Sequence, residues 1–256
     1  MQYFSQIFTD YMRLSVGTNS ESFCEYTEFF YCRSYFDDSW YNLIIPKLKD
    51  STKFNFQNIT TFIEKERQLG KSLSFYINQE LLASYIDILN KAGYSQVGSD
   101  VYLVKDLKNS QPPTIAKDYI ISNEYDLLEI TAVLQKCFPE WSTERTYSQL
   151  YEDYKLKGQE DRFFETFVVR HLNKIVGGGS VSIDKSLNLG YLHNAGILEP
   201  HRRIGLHTAL IDERCAFCLK NGVTRALSIV DEDAGSFASL QKDRFAKADK
   251  FYVFSK

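Results

Sequence analysis

Apolar residues recur along this chain at two periods, and each change of period marks a new element. Leu81, Tyr85, Ile88 and Leu89 fall at helical spacing, which predicts a helix over 80–92 with Gly93 as its C-terminal cap. LSFYI before it and SDVYLV after it have strand composition. The opening MQYFSQIFTDYMRLS reads as an amphipathic helix, without the basic region and unbroken apolar stretch of a secretory signal. The adjacent prolines of KNSQPPT, residues 108–114, suit neither a helix interior nor a central strand and predict a seam.

Beyond that seam lie all four histidines and most of the glycines. YIISN predicts a strand, 125–136 a helix ending before the Phe138-Pro139-Glu140-Trp141 turn, and 144–156 another helix. ETFVVRHLNKIVGGGSVSID predicts a hairpin turning at Leu172-Asn173-Lys174, with Gly177, Gly178 and Gly179 inside its second strand. LGYLHNAGIL is a further strand. IGLHTALIDERCAFCLKN is a long amphipathic helix, with Leu206, Leu210 and Phe217 on one face widened by Ile211, Cys215 and Cys218. VTRALSIV, SFASLQKD and KFYVF then give strand, short helix and strand. The order is β, α, α, β, β, β, α, β, α, β, and the fold class is α/β.

With 256 residues, 44% apolar and 25% charged, the chain can form a packed fold of one large or two modest domains. A net charge of −3 gives no global footprint for nucleic acid, so any anion site is local. No apolar run is long enough to span a membrane. Five cysteines, an odd number, point to a reducing, cytoplasmic compartment, and the lone Cys215-x-x-Cys218 reads as helix core. No histidine–cysteine cluster has zinc spacing, so no metal is expected. The three glycines continue into a strand rather than into Gly-Lys-Ser/Thr, so they mark a close backbone approach or a bulge and not a phosphate loop.

The stretch HRRIGLHT, 201–208, concentrates positive donors where a strand gives way to a helix. Unpaired N–H groups at a helix start suit an anion, Gly205 lets backbone approach it, and Arg202 and Arg203 can grip its oxygens. The same residues also suit a solvated basic helix start. Both Arg202 and Gly205 are expected to face solvent.

In that element order, GILEPHRRIGLHTALI resembles the acetyl-coenzyme A motif of the GCN5-related N-acetyltransferases, whose turn reads Arg/Gln-x-x-Gly-x-Gly/Ala. Arg202 and Gly205 fill its first and fourth positions, Leu206 is its variable fifth, and His207 replaces the final small residue. GSFASLQKDRF is similar to a later segment of the family, with Ser236 and Phe245 matching, Ser239 at an Asn position and Arg244 at a Gly position. The resemblance covers about residues 115–256, as a catalytic domain on a central mixed, mostly antiparallel sheet flanked by helices. Residues 1–110 resemble a degenerate half of the same fold, a wing shaping the acceptor cleft; an independent binding module is the alternative.

The resemblance implies direct acetyl transfer from acetyl-coenzyme A to an amine of unknown identity, by a monomer or homodimer. Ile197 and Leu198 would hold the pantetheine arm through backbone, and Arg203, Ile204 and Thr208 complete the cofactor set with Ser236 and Ser239. A backbone N–H on that strand would stabilise the oxyanion. His193 and Glu199 are the candidate general bases, against readings as a core histidine and an exposed turn carboxylate. Leu240 stands where many relatives place the tyrosine that protonates the thiolate, and Tyr252 lies farther on. That departure keeps a second reading open, a catalytically weak coenzyme A sensor or interaction protein.

Overall fold

The computed structural model describes residues 4–16, 20–34, 41–50, 54, 56–108, 118–139 and 161–256. Most of the expected seam, the 144–156 helix, and Glu140 and Trp141 lie outside the described residues. Two compact units form: one comprises Met1–Tyr102, Val230–Asp233 and Lys247–Lys256, the other Leu103–Ile229 and Ala234–Ala246. Their boundaries differ from 1–110 and 115–256, because the last strand returns to the first unit.

In the first unit the strands run β1 (Ser20–Glu25), β2 (Phe29–Ser34), β3 (Leu43–Pro46), β4 (Ser74–Asn78), β11 (Ala246–Ser255) and β5 (Ser95–Asp106). Here β11 pairs antiparallel with β4, Phe251 opposite Asn78 and Phe254 opposite Phe75. Phe251 stacks on Tyr76 with ring centroids 4.5 Å apart. β3 and β4 are parallel, and α2 (Phe56–Gln68) makes the crossover that such a pair requires. Helix α1 (Gln6–Ser15) is capped by Ser5, whose Oγ accepts from Phe8 N–H. The expected 80–92 helix is α3, Leu82–Lys91, and Gly93 follows it at φ +82°. Buried Tyr85 and Leu89 seat α3 on a core with Phe75, Ile77 and Phe254.

The second unit orders its strands β5, β10 (Arg225–Val230), β9 (Leu189–Ile197), β8 (Lys174–Asp184), β7 (Arg162–His171) and β6 (Tyr119–Ser122). Pairs β6–β7, β7–β8 and β8–β9 are antiparallel, and β9–β10 is parallel. This is the expected mixed, mostly antiparallel sheet. The hairpin loop is two residues rather than three: Leu172 and Asn173 take φ +48° and +65°, and Lys174 already pairs with His171.

Helix α4 (Leu127–Cys137) starts at Asp126, whose carboxylate accepts from the N–H groups of Leu128 and Glu129. Adjacent strand residues point to opposite faces. A Cβ on Gly178 would lie 2.7 Å from Ile130 of α4, and one on Gly179 would lie 3.2 Å from Arg214 of α5 (Leu206–Lys220). The two helices therefore cover opposite faces of the sheet. The glycine run is a close approach on both sides, as expected.

Helix α5 buries more of its circumference than its apolar residues foretell. Phe217, expected in its core face, is only half-buried, whereas Ala209 and Arg214 are buried. Arg214 is 2% exposed. Helix α6 (Gly235–Lys242) is the expected short helix, with Leu240 buried beneath it.

Candidate functional site

Strand β9 builds the site because it leaves one neighbour and buckles against the other. It pairs with β10 only at Gly190 with Ala226 and Tyr191 with Leu227. Ser228 Oγ donates to Leu192 O at 3.2 Å just past that point. From His193 onward the β10-facing edge of β9 carries no ladder pair among the described residues.

On the other side β8 stays paired, but through a bulge. Ser180 opposes His193 and Gly178 opposes Gly196, so Gly179 alone faces Asn194 and Ala195. Asn194 takes φ +52°, a left-handed conformation that asparagine tolerates better than most residues. One extra residue inverts the alternation of β9. Before the bulge, Gly190 points at Cys218 of α5, so even positions face that helix. After it, Ala195 shares the α5 side with Gly179, while a Cβ on Gly196 would stand 2.6 Å from Cys137 of α4.

Beyond β9, Leu198 N–H donates to Val176 O, and a 3-10 turn at Glu199–His201 redirects the chain. Arg203 and Gly205 take φ +66° and +87°, and α5 begins. Gly205 offers no capping side chain, and Ala209 N–H is bonded to Gly205 O at 3.0 Å. The N–H groups of Leu206, His207 and Thr208 therefore open the helix without intrahelical acceptors. A Cβ on Gly205 would meet nothing within 4 Å. These features leave the start of α5 open and positively polarised, the arrangement helices use to bind anions.

Arg202 is exposed, but it does not hang free. Its Nε donates to Ile197 O at 2.7 Å, tying the turn to the end of β9. Arg203 and Ile204 are exposed beside it, and Leu206 is buried. His207 Nδ1 is buried and has no hydrogen-bond partner among the described residues. Burial, with the charge of Arg214 second, pushes the His207 imidazole down to about 4. This buried, unsatisfied nitrogen stands where the family motif has a small residue.

The two candidate bases are held apart. His193 lies in β9 before the bulge, and Glu199 lies beyond the strand's end, exposed in the 3-10 turn. His193 Nε2 lies 2.9 Å from Ser182 Oγ, and its ring stacks on Tyr191 at 4.9 Å. Burial, then Arg214, pushes it down to about 3. A group held so low is neutral at neutral pH and has little drive to keep an acquired proton.

On α6, Ser236 and Ser239 are half-buried, and Ser239 Oγ donates back to Gly235 O at 3.3 Å. Leu240 is 2% exposed, a core residue. Tyr252 lies on β11 in the first unit, with the Lys250 ammonium 4.9 Å from its ring. Cys215 and Cys218 are buried thiols whose pKa values burial pushes up, Cys215 to about 12. Among the described residues no group of three His, Cys, Asp or Glu side chains could hold a metal, and no helix is long and apolar enough to cross a membrane.

The sequence thus locates Ile197 through Thr208 as one continuous feature, and the structure keeps it so. The sequence allows a bulge at the glycine run but does not locate it at Asn194-Ala195, and it gives no sign of the buried place of Arg214. The nearest signals are Asn194, a residue type suited to positive φ, and the glycines opposite it.

A sequence profile of the Acetyltransferase (GNAT) family matches residues 127–242. Comparison with curated protein sequences gives no match. Among solved structures, the chain is similar to a GCN5-related N-acetyltransferase from Kribbella flavida, at TM-score 0.70 and 13% identity over 98% of this chain and 94% of that one. A GCN5-related N-acetyltransferase from Sphaerobacter thermophilus gives 0.65 and 13% over 90% and 80%. A tandem GNAT protein from the clavulanic acid biosynthesis pathway gives 0.62 and 11% over 97% and 87%. At such identities these likenesses speak to the fold.

Proposed function

From the premise that this chain belongs to the acetyltransferase (GNAT) family through residues 127–242, we propose that it moves an acetyl group from acetyl-coenzyme A to an amine. One observation carries the reading: the unpaired edge of β9 leads from a bulge straight to the open start of α5. The N–H groups of Leu206, His207 and Thr208, with Arg202 and Arg203, would hold the pyrophosphate. The free edge of β9 at Ile197 would bond a pantetheine amide through its N–H, whereas Leu198, expected to share that role, already gives its N–H to Val176 O and accepts from His201 N–H at its own carbonyl. Ser236 and Ser239 on α6 belong to the same proposed set. Coenzyme A supplies an acetyl group activated as a thioester.

At the other end of that edge, the backbone N–H groups of Asn194 and Ala195 would meet negative charge developing on the acetyl oxygen. The acceptor attacks directly, within one complex of both substrates. Its proton passes to water, since burial and Arg214 leave His193 too weak a base to keep it, and the thioester C–S bond breaks to release coenzyme A, whose thiolate takes a proton from water.

A second reading, a coenzyme A sensor or interaction protein, draws on Leu240. Where relatives offer a tyrosine, this chain offers a buried side chain without a proton. Turnover separates the two. Acetyl-coenzyme A consumption with a panel of polyamines, aminoglycosides, amino sugars and peptide N-termini should show transfer to at least one class. Tight coenzyme A binding with no transfer to any would favour the sensor.

A further inference from the structure

Arg214 is a buried guanidinium for which no carboxylate partner is recorded among the described residues. Its Nη1 donates to Ser180 O at 3.2 Å and to His193 O at 3.4 Å, and its Nε donates to Leu210 O at 3.0 Å. Ser180 and His193 are the paired residues that flank the bulge on its N-terminal side in β9. Gly179, facing the bulge, is the position where a Cβ would meet both Ala195, at 2.9 Å, and the Arg214 guanidinium carbon.

Burying a charge without a counterion is expensive. An apolar side chain of similar length would fill the same space at less cost. What a guanidinium adds is a rigid planar set of donors, suited to hold two carbonyls in one fixed relation. A bulge is the place in a ladder that lacks such regular support. Burial lowers the Arg214 pKa only to about 10, so the group stays charged at neutral pH. Its charge also contributes to the lowering of both His193 and His207, which places its field across the bulge and the start of α5.

We propose that Arg214 is a positioning residue, clamping the Ser180 and His193 carbonyls so that the Asn194-Ala195 amides keep a fixed aim at the acyl oxygen. The inference rests on the acetyl-transfer reading above. It assigns Arg214 no contact with either substrate. Its effect therefore belongs to the transfer step and not to coenzyme A binding.

The test compares Arg214→Met and Arg214→Lys with the full-length wild type. In kinetics with the best acceptor, Arg214→Met should lower kcat at least tenfold while the coenzyme A Kd stays within about threefold. This is less than the hundred- to thousandfold cost of removing an oxyanion donor outright. Arg214→Lys, which keeps charge and donors, should recover part of that loss. Unchanged kcat in Arg214→Met, or kcat and coenzyme A affinity falling together, would overturn the proposal.

A second readout needs no activity: amide hydrogen exchange in the ligand-free proteins. Arg214→Met should speed exchange at Asn194 and Ala195 more than along the β7–β8 ladder, with Arg214→Lys in between. Uniformly faster exchange would mean Arg214 is only a core residue, and the proposal would fall. If wild type transfers to no amine, the functional reading fails, while the exchange data still decide whether Arg214 fixes the bulge.

Discussion

Two glycines at opposite ends of one helix allow strain and ligand contact to be separated. Gly205 precedes α5 at φ +87°, Gly222 follows it at φ +81°, and at neither would an added Cβ meet any atom within 4 Å. Alanine at either position must hold a left-handed conformation, which costs about 1–2 kcal/mol. At roughly 2–4 °C per kcal/mol for a chain of this size, the ligand-free midpoint should fall by ~2–8 °C in both variants. Gly205 is exposed, as expected, yet its left-handed backbone still makes a side chain there costly. Only Gly205→Ala, however, places a methyl group where the proposed phosphate approaches. Losing a charge-assisted hydrogen bond there costs about 1.5–3 kcal/mol, a roughly ten- to hundredfold weaker Kd. Thermal unfolding without ligand and calorimetric titration with coenzyme A measure the two effects separately. Equal coenzyme A affinity in Gly205→Ala, Gly222→Ala and wild type would refute the reasoning, as would equal weakening in both variants.

Arg202→Ala should weaken coenzyme A binding about ten- to hundredfold. Contrary to a purely solvent-facing role, it should also lower ligand-free stability, because Ile197 O loses its donor; calorimetry and thermal melts check both. Gly178→Ala should destabilise the protein by about 1–3 kcal/mol in urea titration, since its Cβ would fall 2.9 Å from Phe167 O, a backbone atom, as well as against Ile130. His193 and His207 are held at about 3 and about 4, below the usual 6.5 of an unfolded chain. Their contribution is complete above pH 6.5 and is lost as pH falls toward 4, because the unfolded state binds protons first. Urea midpoints at pH 7.5, 6 and 5 should fall in that order, and His193→Asn should fall less steeply.

The order of elements from Tyr119 onward was legible because each has a strong local cause. Asp126 caps α4, Asn173 accepts positive φ at the hairpin, and Gly205 opens α5. In the first unit α1, α3 with its flanking strands, and the strand at KFYVF were legible, whereas β1 to β3 were not. Strands β1 to β3 show no clean alternation of apolar and polar positions: Phe29, Phe30, Tyr31 and Cys32 of β2 are buried in succession, as are all four residues of β3. A fully buried strand has no polar face to reveal its period. Placing β11 with the first unit depends on a pairing with β4 more than 170 residues earlier, which no local pattern encodes. The same limit applies at the site. The turn from Arg202 to Thr208 is a contiguous motif, whereas the bulge is a relation between two strands. Arg214 sits in an amphipathic helix where an arginine is ordinarily a surface residue. Only the carbonyls of Ser180 and His193, brought under α5 by the sheet, give it a buried place.

The central claim is that the free edge of β9 and the open start of α5 together receive coenzyme A. Residue-resolved amide exchange of the wild type, with and without saturating coenzyme A, tests it most directly. Protection should appear at Asn194 to Ile197 and at Leu206 to Thr208, with little change along β7 and β6. Saturable binding that leaves those amides exchanging as before would contradict the account.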